Sequence, residues 1–114
     1  MSDLKNPSEI EFHDVANIED VTPQFPKRIM IDGHEIALFN VEGEIFATDN
    51  ICSHAYASLA DGFVTGDVVE CPLHEACFNI RTGKVLSAPA TVDIRTYPVQ
   101  IADGRISVGY AAPR

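Results

Sequence analysis

Residues 52–74, CSHAYASLADGFVTGDVVECPLH, place a Cys-x-His at one end and a Cys-x-x-His at the other, with 16 residues between His54 and Cys71. Cys52 is thus paired with His54, and Cys71 with His74. Gly62 and Gly66 flank the short apolar run FVT between them, so each pair is expected in a turn between strands. Strands on either side hold a tight loop rigid, and two such loops from neighbouring hairpins can converge to present four ligands to one site. Pro72 restricts the backbone of the second loop, and it is tolerated there because a loop need not offer its N–H to a ladder.

The same punctuation runs outward along the chain. In TYPVQIADGRISVGY, residues 96–110, Tyr97, Val99 and Ile101 alternate with polar neighbours, Asp103-Gly104 makes a turn, and Ile106, Val108 and Tyr110 alternate on the return. That pattern predicts a β-hairpin with one buried face. Pro98 cannot donate to a ladder, so its strand belongs at an edge or pairs on one side there. Asp32-Gly33 stands before HEIALF, Glu42-Gly43 between LFNV and EIFAT, and Gly83 between FNIR and KVL; six of the seven glycines fall where apolar runs change direction. No stretch carries apolar residues at helical spacing over the ~11 residues an amphipathic helix needs, and only HDVANIEDV, residues 13–21, has room for a helical turn. Short strands at this spacing predict an all-β fold, an antiparallel β-sandwich or small barrel. Residues 1–9 are polar enough to be disordered, and 10–112 are expected to form a single domain.

Composition narrows the function. Apolar residues make up 46% of the 114 and charged residues 22%, as in an ordinary globular protein, and no run approaches the roughly 20 apolar residues that span a bilayer. The opening MSDLKNPSEIEFHD has no apolar run behind a basic one, so the cytoplasm is the expected compartment. Three cysteines there read as metal ligands plus a leftover thiol, not as a disulfide framework. A net charge of −9 argues against nucleic acid and anionic lipid as partners and favours a protein with a basic patch. Residues 1–50 hold 11 acids against 3 bases, whereas residues 51–114 hold 6 against 5, so the half with the Cys/His pairs is nearly neutral. The acidic half reads first as a face kept for solubility.

Two metal sites suit two Cys and two His. A structural zinc ion would accept the set, but zinc modules usually group Cys with Cys and His with His. A [2Fe–2S] centre of the Rieske kind takes two Cys on one iron and two His on the other, and loops that each give one ligand to each iron must carry one of each type. That reading explains the mixed pairs directly.

C-x-H, 16 residues, CPLH, then TGKVLSAPAT and RTYPV, resembles the Rieske ferredoxins of bacterial aromatic-ring-hydroxylating dioxygenase systems over about residues 12–110. The resemblance implies an antiparallel β scaffold with a cluster-binding subdomain of two hairpin loops, about 50–77, capped by a proline loop, about 86–91, that contains Pro89. It implies one [2Fe–2S] cluster per chain, with Cys52 and Cys71 on the inner iron and His54 and His74 on the outer, near solvent. Tyr56, where a small residue is frequent, and Glu75, where Gly or Gln is usual, depart from the common pattern beside the docking tip. The implied function is one-electron transfer from a ferredoxin reductase, a flavoprotein, to a terminal oxygenase, by a carrier expected to be a monomer and not itself an enzyme. The chain has no dinucleotide fingerprint and no second His and carboxylate triad to activate oxygen. A zinc-binding interaction module, or a Rieske subunit fixed within another oxidoreductase, is the alternative.

Two ferric ions, two sulfides and two thiolates cancel when the other ligands are neutral imidazoles, so adding an electron costs less than it does on a four-thiolate dianion. Rieske centres accordingly lie at about −150 to +300 mV, against about −400 mV for plant-type ferredoxins. High-potential respiratory Rieske proteins add a Ser, a Tyr and an inter-loop disulfide; the matching positions here are Ala76, Phe78, and Ala57 with Leu73, which predicts the low end of the range. Cys77 is expected as a small buried hydrophobe, and His13 and His34 as surface residues. Docking is expected to use shape and apolar contact around Tyr56, Leu59 and Pro89, tuned by Glu75.

Overall fold

The computed structural model describes residues 10–52, 57–73, 76–88, 90 and 92–111. The expected proline-loop residue Pro89 and the polar stretch 1–9 lie outside the described residues. Among the described residues ten strands follow in chain order: β1 (Glu11–Asn17), β2 (Lys27–Ile31), β3 (His34–Val41), β4 (Glu44–Asp49), β5 (Phe63–Thr65), β6 (Val68–Glu70), β7 (Cys77–Asn79), β8 (Thr96–Tyr97), β9 (Val99–Ala102) and β10 (Arg105–Tyr110). They form three antiparallel sheets with orders β1-β10-β9, β2-β3-β4-β8 and β5-β6-β7. The all-β expectation holds. The stretch read as a possible helical turn is β1 up to Asn17, and only Ile18–Asp20 curls into a 3-10 turn, where the Asp20 carboxylate accepts the Asn17 N–H.

The four-stranded sheet is the middle layer, and it is buried on both faces. Ile36 and Leu38 of β3 point into a core shared with Ile29, Ile31, Ile45, Ala47, Tyr97, Ile106 and Val108. Their neighbours Ala37, Phe39 and Val41 point the other way, into a core shared with Leu59, Val69, Phe78 and Ile80. Covering both sides is why β3 reads as the unbroken apolar run IALF, as two-sided strands do. Each fully buried Leu, Ile or Phe contributes about 1.5–3 kcal/mol. The small β5-β6-β7 sheet therefore rests on the central sheet through its inner row, Val64, Val69 and Phe78, which register places side by side. At the rim of this contact the Arg81 guanidinium lies 5.0 Å from the Phe46 ring centroid and within 3.5 Å of Glu44 and 3.6 Å of Asp67.

Turn chemistry fixes the hairpins. Asp103 and Gly104 have φ of 52° and 75°, the paired left-handed geometry of a type I′ turn, and Asp32-Gly33 and Glu42-Gly43 repeat it. Register across the last hairpin matches the alternation in sequence, with Ile106 opposite Ile101 and Val108 opposite Val99. The buried face is shorter than that alternation suggests, because Ile101 is exposed while Ile106 and Val108 are not. Pro98 marks the cause. It is the point where the chain leaves β8, paired to β4, and enters β9, the edge partner of β10, so Tyr97 and Val99 belong to different sheets. The Pro98 carbonyl still accepts the Gly109 N–H at 2.8 Å.

Candidate metal centre

Cys52 and Cys71 are buried, 3% and 1% exposed, and both belong to the core between the central sheet and the β5-β6-β7 sheet. Cys52 follows the end of β4 by three residues, and Cys71 follows β6 directly. Each opens a loop closed in the same way. The Cys52 N–H donates to the Ala57 carbonyl at 3.0 Å, and the Cys71 N–H donates to the Ala76 carbonyl at 2.7 Å. Two six-residue spans thus begin at a buried sulfur and return to a buried alanine methyl. No disulfide joins the three cysteines. The donor chemistry suits an iron–sulfur group, since soft thiolates are its protein ligands and an apolar surround lets them be held without competing water.

The sequence-predicted ligands His54 and His74 lie outside the described residues, as do Tyr56 and Glu75. Among the described residues no three His, Cys, Asp or Glu side chains gather as a metal site. The loops also differ from expectation in their bases. Loop 71–76 is a true hairpin on β6 and β7, whereas loop 52–57 rests on the single bridge Ile51–Ser58 and leads into a 3-10 turn at Leu59–Asp61.

Two side chains sit where the sequence reading did not put them. Leu59, expected on a docking surface, is fully buried in the core beneath the loops. Among the described residues, apolar side chains presented outward include Leu73, 63% exposed in the second loop, with Leu86 and Val92. Cys77, expected as a buried hydrophobe, is only partly buried; register puts it beside Glu70 and Phe63 on the outer face of its sheet, opposite the inner row of Val64, Val69 and Phe78. The Cys77 N–H donates to Ser87 Oγ and its carbonyl accepts from the Leu86 N–H, so the 85–87 segment lies along β7.

His34 is not a bare surface histidine. Its Nε2 lies 2.9 Å from both Asp49 Oδ1 and the Tyr97 hydroxyl, and its ring stacks on Tyr110 at 5.5 Å between centroids. The Tyr97 hydroxyl donates to the same Asp49 oxygen. Burial, then that bond to a carboxylate, push the Tyr97 pKa far above the usual phenol range, so the phenol keeps its proton. The other Asp49 oxygen accepts the Arg95 N–H, and the Asp49 N–H donates to the Arg95 carbonyl. This network fixes the end of β4, just before the first loop. Only tertiary contact assembles it; in sequence His34, Asp49 and Tyr97 lie in three separate segments. His13, on β1, is partly exposed as expected.

Known proteins resemble this chain. The Rieske [2Fe-2S] domain family matches residues 11–98. The ferredoxin component of the naphthalene 1,2-dioxygenase/salicylate 5-hydroxylase systems of a Ralstonia species is 47% identical over 93 residues, covering 82% of this chain and 89% of the relative. Among solved structures, a ferredoxin of Sphingomonas yanoikuyae B1 superposes with a TM-score of 0.84 at 35% identity, covering 88% of this chain and 99% of its own. A chain from the complex of reduced oxygenase and oxidised ferredoxin in carbazole 1,9a-dioxygenase superposes with a TM-score of 0.80 at 34% identity, covering 85% and 91%.

Proposed function

The chain belongs to the Rieske [2Fe-2S] domain family, and from that premise we propose that it is a one-electron carrier serving a terminal oxygenase of an aromatic-ring-hydroxylating dioxygenase system. The observation that carries this reading is the pair of buried thiols at the feet of two identically closed loops, within a chain similar over most of its length to ferredoxin components. Cys52 and Cys71 would hold one iron, and His54 and His74 the other. When bound, the cluster supplies a site that accepts and returns a single electron.

The chain's own residues do the rest. Burial keeps water from both sulfurs, the two backbone bonds fix where each loop starts and returns, and Leu59, Val69 and Phe78 seat the loops on the central sheet. The reductase that loads the carrier would be a separate flavoprotein, and the carrier itself a monomer of the cytoplasm. Among the described residues no helix is long and apolar enough to cross a membrane. Neither nucleic acid nor an anionic surface suits a net charge of −9. The defining experiment mixes the purified protein with candidate oxygenases and a flavoprotein reductase: substrate hydroxylation that stops when this chain is omitted supports the reading, and undiminished turnover without it contradicts it. Isolation only as a fixed part of a larger oxidoreductase would favour the bound-subunit alternative.

Docking would use the outward apolar side chains of the second loop and its neighbour, Leu73 and Leu86, in the half of the chain that carries almost no net charge. Transfer rates should then fall only weakly as salt rises from low to physiological ionic strength, because screening acts on charge–charge steering. Stopped-flow rates across a salt series check this, and a steep fall would show that the acidic half steers the encounter.

The potential is the second expectation. Phe78 is fully buried in the same core as both thiols and brings no hydroxyl, and the buried Ala76 brings none either. The midpoint is therefore expected in the lower part of the family's range, below zero, and Phe78→Tyr is expected to raise it. Protein-film voltammetry on both proteins is the measurement. A wild-type midpoint well above zero contradicts the account.

A further inference from the structure

The two ligand loops share a closure but not a foundation. Loop 71–76 rises from a ladder in which Val68, Val69 and Glu70 pair with Asn79, Phe78 and Cys77. Among the described residues, loop 52–57 has only the Ile51–Ser58 bridge beneath it, since on one side the chain joins β4 and on the other it enters the turn at Leu59–Asp61. A loop on one bridge has little to fix its angle or height.

Asn50 stands where the missing rungs would be. It is fully buried. Its backbone N–H donates to the Glu35 carbonyl at 3.2 Å, and its carbonyl accepts the Leu59 N–H at 2.7 Å. Its side-chain Nδ2 donates to Ser58 Oγ at 2.9 Å and to Glu35 Oε1 at 3.0 Å. Its Oδ1 accepts the Ala60 N–H at 2.9 Å and lies 3.2 Å from the Ser58 hydroxyl, which can donate to it. One flat amide thus joins the near side of the loop, the far side of the loop and the start of β3. Only an amide does this, because the site needs a donor toward Glu35 and an acceptor toward Ala60 on the same short side chain. An aspartate would set two carboxylates against each other, and an alanine would leave Ser58, the Ala60 N–H and one Glu35 oxygen without these partners.

We infer that Asn50 is the positioning residue for the first ligand loop: its side chain stands in for ladder bonds and fixes Cys52, two residues on, relative to Cys71. The inference rests on the ligand assignment above. Losing a group that supports metal ligands typically costs 10- to 100-fold in metal affinity or activity. Asn50 should act through retention and ligand geometry, and not merely through overall stability.

The test uses the iron-loaded protein and its variants Asn50→Asp, Asn50→Ala and Ser58→Ala, with Val108→Ala in the opposite core as a control for general destabilisation. Iron release to a chelator is followed under native conditions, global unfolding is followed in urea, and the reduced forms are compared by electron paramagnetic resonance. Asn50→Asp and Asn50→Ala are expected to release iron about 10-fold faster or more, with altered resonance positions, whereas Val108→Ala keeps the wild-type resonance and releases iron only in proportion to its lost stability. Release that tracks global stability alike in all variants overturns the inference. If the Asn50 variants do not accumulate folded, Ser58→Ala decides: faster release with an unchanged urea midpoint supports the inference, and unchanged release overturns it. A wild-type protein without iron and sulfide would instead overturn the ligand assignment on which the inference stands.

Discussion

Replacing Cys71 with alanine is expected to give a colourless protein with no stoichiometric iron or acid-labile sulfide, while Cys77→Ala keeps the colour and the metal of the wild type. Cys71 is 1% exposed at the foot of the second loop, and its own N–H closes that loop on Ala76. Among the described residues, Cys77 is the remaining thiol that could stand in for it. Cys77 is six residues on, but its side chain belongs to the outer row of the small sheet with Glu70 and Phe63, and turning it inward would undo the β6–β7 pairing. A one-residue change of face in a strand moves every side chain of that strand, so rescue would cost the sheet. Cys52→Ala is expected to behave as Cys71→Ala does. Iron and sulfide assays with visible absorption check all three variants, and a Cys71→Ala protein that stays coloured, or a colourless Cys77→Ala, contradicts the assignment.

A large stability effect is expected at Gly83, outside the apolar core. Gly83 has φ of +77°, and a Cβ added there would run into the Ile94 carbonyl oxygen and stand 3.1 Å from Thr96 Cγ2. The first of these is backbone, which no rotamer change can move aside. Both polar groups of Gly83 are engaged as well, its N–H with the Asn79 carbonyl at 2.8 Å and its carbonyl with the Ile94 N–H at 2.9 Å. The left-handed conformation alone costs a residue with a side chain about 1–2 kcal/mol, and displacing a backbone partner brings the total for Gly83→Ala to about 3 kcal/mol or more. Gly66→Ala is the matched control, since Gly66 is also left-handed at +61° but has nothing within 4 Å of the new methyl. It should cost only the conformational part, about 1–2 kcal/mol. Urea unfolding of both variants at equal iron content separates the two contributions, and equal midpoints would show that the Ile94 contact relaxes without cost.

The hairpins were readable because their turns are spelled locally. Asp32-Gly33, Glu42-Gly43 and Asp103-Gly104 each place an acid and a glycine at left-handed positions, and no distant contact is needed to make them. The paired thiols were readable for the same reason, as spacing within a loop is a local property. What sequence did not disclose depends on which faces meet. Alternation marks Leu59 as apolar but does not say that a second sheet covers it, and Pro98 marks a break in a ladder without saying that the chain changes sheets there. Asn50, His34, Asp49 and Tyr97 are ordinary polar residues in sequence, and they become networks only when β3, β4 and β8 lie side by side. A polar Asn at the end of an apolar strand, two residues before Cys52, was the one available cue.

Metal and sulfide analysis of freshly isolated protein, joined to pulsed electron paramagnetic resonance of the reduced form, tests the central claim most directly. Two irons and two acid-labile sulfides per chain, with imidazole nitrogen coupled to one iron, are the expected result for a mixed thiolate and histidine centre. Zinc in place of iron, or an iron centre held by sulfur alone, would contradict it.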